Sequence, residues 1–272
     1  MTTAVTGIVF AFCLIIGIPI AFVIGISAVA GLLSLPTWPP LLVVAQRMFT
    51  GIDNFVLLAI PFFMLAGQLM NKAGITSGLV KFSDVLVGHI RGGLAHVNIV
   101  ASIFFAGITG IAVADTAALG SILIPAMVEQ GYDKDFSAAV TAASSIIGPI
   151  IPPSIVMVLY AVTAGVSITG MFLAGFIPGL LIGLGLMAVS YILAIKRDYP
   201  RREKPITWQQ FWTSLKEAFL ILLMPIIILG GILSGIFTPT EAAAVGVAYG
   251  LAVGFFVTKR LSIKDLPEML LN

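Results

Sequence analysis

Gly107-Ile-Thr-Gly-Ile-Ala-Val-Ala-Asp115-Thr116-Ala-Ala-Leu-Gly120 is a polar, glycine-punctuated stretch inside what would otherwise be an unbroken apolar segment. A single membrane helix has no use for glycines at 107 and 110 with a threonine between them, followed by an acid and a hydroxyl at 115 and 116. The stretch reads as two half-helices meeting at a tip. Irregular backbone at membrane depth persists only where protein or a water-filled cavity satisfies its N–H and C=O groups. The tip therefore implies a buried polar site.

The composition around it agrees. Hydrophobic residues make up 59% of the 272 and charged residues 10%, and the mean hydropathy is +1.13, far from the soluble globular range. This predicts an all-α polytopic membrane protein. The net charge of +2 gives no case for nucleic acid, because the basic residues sit in short loops. Cys13 lies in an apolar run and has no second cysteine to pair with. The N-terminus lacks the order of basic region, short apolar core and cleavage site that marks a signal peptide, and reads as a retained membrane segment.

Working outward, Leu94–Gly107 and Val113–Val128 are the arms of a re-entrant hairpin. Each spans about 20–24 Å at 1.5 Å per residue, short of the hydrocarbon core. Phe136–Ile147 and Ile155–Ala164 form a crossing helix broken at Gly148-Pro-Ile-Ile-Pro152-Pro153-Ser154, where three prolines remove backbone donors. Thr141, Ser144 and Ser145 share one face just before that break. Val5–Leu35 is read as one kinked crossing, or as two very short passes, ended by Pro36-Thr-Trp-Pro-Pro40. Asn54–Met70, Met171–Ile195, Phe219–Phe237 and Ala242–Val257 are the other crossings. Ser77–Ile90 has the periodicity of an amphipathic helix lying in the interface. The regions are 1–93 (scaffold and interfacial arm), 94–170 (transport region), 171–218 (crossing helix and linker) and 219–272.

With 5–35 as one crossing and the hairpin as none, thirteen of the fourteen Lys/Arg fall on one side and Arg47 alone on the other. The positive-inside bias makes that side cytoplasmic. On this count the N-terminus is cytoplasmic and the hairpin opens to the cytoplasm.

Asp115 is the one acid deep in an apolar segment, and such groups usually face a cavity or a partner. Its structural alternative is a cap at the start of the second arm. Two helix interruptions with adjoining hydroxyls are a means of building a cation site from carbonyls and hydroxyls, leaving half-helix N-termini for an anion. At Thr238-Pro-Thr-Glu241 capping is the stronger reading. His89 and His96 have no metal-ligand partners at suitable spacing. No catalytic motif is present, so an enzyme is not expected.

Phe105–Gly120, Ile147-Gly-Pro-Ile-Ile-Pro-Pro-Ser154 and Gly235-Ile-Phe-Thr-Pro-Thr-Glu-Ala-Ala-Ala244 resemble signature segments of the large, DctM-type membrane subunit of tripartite ATP-independent periplasmic (TRAP) transporters. The resemblance runs through essentially the whole chain. It implies an elevator-type, sodium-coupled importer of organic acids such as C4-dicarboxylates or sialic acid in the bacterial inner membrane. A periplasmic binding protein would deliver the substrate, a small four-helix membrane subunit would brace the scaffold, and no cofactor is needed beyond Na+. The implied substrate and ion residues are Gly107, Thr109, Gly110, Asp115, Thr116, Ser144, Ser145, Gly148, Pro152, Pro153 and Ser154, with Thr109, Gly110, Ser144, Ser145 and Gly148 as sodium ligands. The tip reads Gly-Ile-Thr-Gly-Ile where a serine-richer run is commoner. Such subunits also carry an inverted second half, of which 219–272 would be the start, so transport by 1–272 alone is not expected. The alternatives are an elevator-type sodium/anion symporter that needs no binding protein, or an inactive assembly scaffold.

Overall fold

The computed structural model describes residues 2–36, 42–201 and 207–271. All regular structure among them is helical. The chain divides into two compact units, 1–54 and 55–272.

In the first unit the apolar stretch 5–35 is not one crossing. It folds into α1 (Thr2–Ile15) and α2 (Ile20–Leu33), each of 14 residues. Gly17 takes a left-handed φ of 84° and Pro19 precedes the first turn of α2, so the backbone reverses there. Gly31 of α2 leaves no room for a Cβ beside the Thr6 hydroxyl, which lets the two helices lie side by side. Each spans about 21 Å, well short of the hydrocarbon core. Of the two readings of 5–35 the structure has the two short helices, and the cytoplasmic N-terminus, counted from a single crossing, loses that support. α3 (Leu42–Ile52) follows, and most of the proline stop at 36–40 lies outside the described residues.

The second unit begins with a short 3-10 turn leading into α4 (Ala59–Lys72). α5 (Ile75–Val87) is the amphipathic helix expected from 77 onward; it buries Ile75, Leu79 and Phe82, and its inner face is covered by protein. Phe82 meets Phe104 at 5.7 Å between ring centroids. α6 (Gly93–Thr109) and α7 (Ala112–Glu129) are the hairpin arms. At 17 and 18 residues they are slightly longer than expected, about 26 Å each. α8 (Lys134–Ser145) and α9 (Ile155–Ala164) flank the predicted break.

α10 (Ile168–Lys196) is the longest helix, at 29 residues. Gly175, Gly179 and Gly183 form a small-residue seam on its buried face, where Ile103, Ile150, Ile151 and Met157 pack against its backbone. α11 (Trp208–Leu233) starts about three turns before the expected crossing, capped by Thr207 and Gln210. α12 (Pro239–Ala252) starts with the expected cap: Glu241 N–H donates to Thr238 Oγ1 (3.3 Å) and Thr238 N–H to Glu241 Oε2 (2.8 Å). A π turn over Val253–Val257 extends it, and α13 (Leu266–Leu271) closes the described chain.

Among the described residues four segments are long and apolar enough to cross a membrane: Phe55–Lys72, Ala112–Glu129, Ile168–Lys196 and Pro239–Val257. A fifth is α11, bent by 51° near residue 217. This differs from the six crossings expected: 5–35 is folded back and 134–164 is two short helices, while the hairpin arm α7, expected not to cross, is itself long and apolar enough to do so. Pairwise packing fixes directions within the unit. A Cβ on Gly246 would lie 3.6 Å from Ala66, and one on Gly250 3.1 Å from Leu69, so α4 and α12 run parallel. Asn98 and Ser102 of α6 bond Thr141 and Ser144 of α8, so these too are parallel. Gly183 meets Ile103 while Ala194 meets Gly92, which sets α10 antiparallel to α6.

Candidate substrate and ion site

The two interruptions meet. Gly110, with φ 61°, ends α6, and a Cβ there would lie 2.7 Å from the Pro153 carbonyl oxygen and 2.9 Å from Ser154 Cα. Only glycine combines that left-handed conformation with so close a backbone approach. One turn earlier, Gly107 packs against the Pro225 ring, with the Pro152 carbonyl just beyond. The C-terminal ends of α6 and α8 and the N-terminal ends of α7 and α9 are thus gathered around one small volume. Carbonyl-rich helix ends favour a cation and amide-rich ends an anion.

Asp115 lies in the first turn of α7 and is fully buried. Thr109 Oγ1 donates to its Oδ1 across the tip, while Oδ2 has no hydrogen-bond partner and stands against Gly148 so closely that no Cβ fits there. The helix-cap reading of Asp115 does not hold: the N-cap position is Ile111, and no side chain caps this helix. Asp115 instead ties the end of one arm to the start of the other and reaches the 148 break. Beside Thr109 is a crevice of about 190 Å³ lined by Met64, Gln68, Asn71 and Ile111 among others.

Ser144 and Ser145 are buried on α8, at the predicted face. Their hydroxyls are engaged. Ser102 Oγ donates to Ser144 Oγ (3.0 Å), and Ser144 Oγ lies 3.1 Å from the Thr141 carbonyl and 3.3 Å from Asn98 Oδ1, either of which can take its proton. Ser145 donates to the Thr141 carbonyl at 2.8 Å. Asn98 Nδ2 donates to Thr141 Oγ1 at 2.6 Å, and Thr141 donates to the Ser137 carbonyl. A hydroxyl that donates to protein keeps lone pairs for a cation.

Asn98 and Ser102 were not picked out from the sequence, although their i, i+4 spacing in an apolar arm carried the signal. Two expected site residues also serve their own helices. Thr116 donates back to the Ala112 carbonyl of its own helix at 2.9 Å. Ser154 caps α9, accepting from Met157 N–H (3.3 Å) and donating to the Pro149 carbonyl (2.8 Å). Among the described residues no group of three His, Cys, Asp or Glu side chains converges on a metal position.

A helical hairpin docked by its tip into a broken helix, with buried hydroxyls and one acid between them, belongs to a multi-pass membrane protein built around an intramembrane polar site. Residues 7–272 match the family described as "Tripartite ATP-independent periplasmic transporter, DctM component", and the chain belongs to that family of transporter permeases. It is similar to the sialic acid TRAP transporter large permease protein SiaM of Vibrio cholerae, 52% identical over 226 residues, covering 83% of this chain and 53% of that protein. It is also similar to the sialic acid TRAP transporter permease protein SiaT of Haemophilus influenzae, 45% identical over 95% of this chain and 42% of that protein. The C4-dicarboxylate TRAP transporter large permease protein DctM of Rhodobacter capsulatus is 40% identical over 94% of this chain and 61% of its own. The chain therefore spans about half the length of these relatives. The membrane segments and the family together make it a multi-pass inner-membrane protein.

Proposed function

We propose that the chain supplies one side of the transport site in the large permease subunit of a sodium-coupled TRAP importer of organic acids. The observation that carries this reading is the seating of the Gly110 tip against Pro153–Ile155, with Asp115 over Gly148. It places two sets of helix ends, hydroxyls and an acid in one buried volume. Sodium would take lone pairs of Thr109, Ser144 and Ser145 and carbonyls near Gly110 and Gly148; a substrate carboxylate would face the N-terminal ends of α7 and α9. Similarity to permeases named for sialic acid and C4-dicarboxylates supports a carboxylate cargo. A periplasmic binding protein and a small membrane subunit are the implied partners, and the hairpin opens to the cytoplasm, the side that holds the basic loops.

The test is uptake into proteoliposomes holding the complete large subunit with its small subunit, with and without loaded binding protein. Accumulation of labelled acid driven by an inward sodium gradient, abolished when potassium replaces sodium, is expected. Equal accumulation in potassium would overturn the sodium coupling. Uptake undiminished without binding protein would favour a stand-alone symporter.

A further inference from the structure

At the far end of α10 from its glycine seam, a recess of about 620 Å³ opens between the helix terminus and the 88–92 turn. Its walls are held by backbone: Gly92 N–H donates to the Pro200 carbonyl at 3.1 Å, and Asp198, in a left-handed conformation, pairs with Arg91 across the gap. Among the described residues its lining includes Arg91, Arg201 and His89, with one carboxylate, Asp198. Its other wall is Tyr191 and Ile195. These two continue a stripe on the outer face of α10 through Ile177, Leu181 and Leu184, each about half exposed or more, at spacings of three, four and seven residues that keep to one helix face.

A basic rim that opens directly onto a lipid-facing apolar stripe matches an amphiphile with an anionic head and a hydrocarbon tail. We infer that this recess binds an anionic phospholipid, its phosphate between Arg91, Arg201 and His89 and an acyl chain along Tyr191, Ile195 and Leu184. Two guanidiniums suit phosphate oxygens geometrically, and basic pockets at membrane-helix ends attract anionic headgroups. The recess is separate from the hairpin tip, and this assignment stands whether or not the chain transports sodium.

The experiment titrates the detergent-purified full subunit with phosphatidylglycerol or phosphatidylcholine and counts bound lipid by native mass spectrometry. Phosphatidylglycerol is expected to bind more tightly. Arg201→Gln should weaken it about fivefold and leave phosphatidylcholine unchanged, while Lys264→Gln, an equal loss of charge on an exposed residue elsewhere, should have no effect. Ile195→Glu, which keeps the arginines and blocks the acyl path, should weaken binding as well. Equal affinity for the two lipids, equal losses from Arg201→Gln and Lys264→Gln, or full competition by soluble glycerol phosphate would each overturn the assignment.

Discussion

Asp115 and Gly148 touch across the helix break: the unpartnered Oδ2 of the acid occupies the space a Cβ on residue 148 would need. The contact joins the first turn of α7 to the backbone just past the end of α8. Gly148→Ala should therefore push the two breaks apart. Overpacking of this kind costs about 1–3 kcal/mol, so we expect the full subunit to denature earlier and to lose uptake. Gly110→Ala should act in the same direction, through both its positive φ and the Pro153 carbonyl. Wild-type stability in both variants would show that the tip and the break are not packed as described.

Thr109→Val and Ser145→Ala each remove one hydroxyl from the proposed sodium shell. Leaving a buried partner unsatisfied costs about 1–3 kcal/mol, which corresponds to a rise of about five- to a hundredfold in the sodium concentration for half-maximal uptake. Both hydroxyls revert to a structural role if sodium dependence is unchanged in both variants.

The Asn98–Thr141 bond gives a coupling that is independent of transport. Asn98→Ala and Thr141→Ala should each destabilise the subunit by about 1–3 kcal/mol. The double variant should cost clearly less than the sum, because each single change strands the other's polar group. Additive losses in a double-mutant cycle would argue against a bonded pair.

Acid should loosen the loop joining α7 to α8. Asp133 accepts from Tyr199 (2.8 Å) and Arg197 (2.6 Å), and these bonds hold its carboxyl below the ordinary 3.8. A carboxyl lowered on folding contributes stability above its unfolded pKa that is lost as pH falls through the folded value. The loss should thus begin near pH 4 and deepen below it. Asp133→Asn should flatten that part of the stability–pH curve, as read by proteolysis of the loop or by thermal denaturation.

The fold-back of α1 on α2 returns the chain to the side from which it started. Cysteines placed singly at Thr3 and Pro36, in a Cys13→Ser background, should react with an impermeant thiol reagent from the same side of the membrane. Cysteines at Lys134 and Lys196, both exposed, should resist the reagent applied from the periplasm. Opposite behaviour at positions 3 and 36 would restore a single crossing.

Much of this architecture was legible because membrane helices leave blunt marks. The Gly107–Gly110 tip, the 148–154 break and the Thr238–Glu241 cap are all local chemistry, and all were read correctly. What failed was parity at the N-terminus. Residues 1–46 contain no Lys or Arg, so charge bias had nothing to weigh there, and Gly17 with Pro19 looks the same in a kink as in a reversal. Thr116 and Ser154 show a limit of another kind: a hydroxyl near a break serves its own backbone as readily as a ligand, and spacing alone does not say which. Asn98 and Ser102 escaped notice because their partners lie more than forty residues away.

The parallel run of α4 and α12 has a kinematic consequence. Between them α6 and α7 run out and back around a two-residue turn, a detour with no net displacement along the chain's path. Such a detour can swing or slide without obliging any later helix to turn over, whereas a true crossing is pinned at both faces. The polar tip is thus carried on a part of the chain whose travel leaves the threading of the remainder untouched.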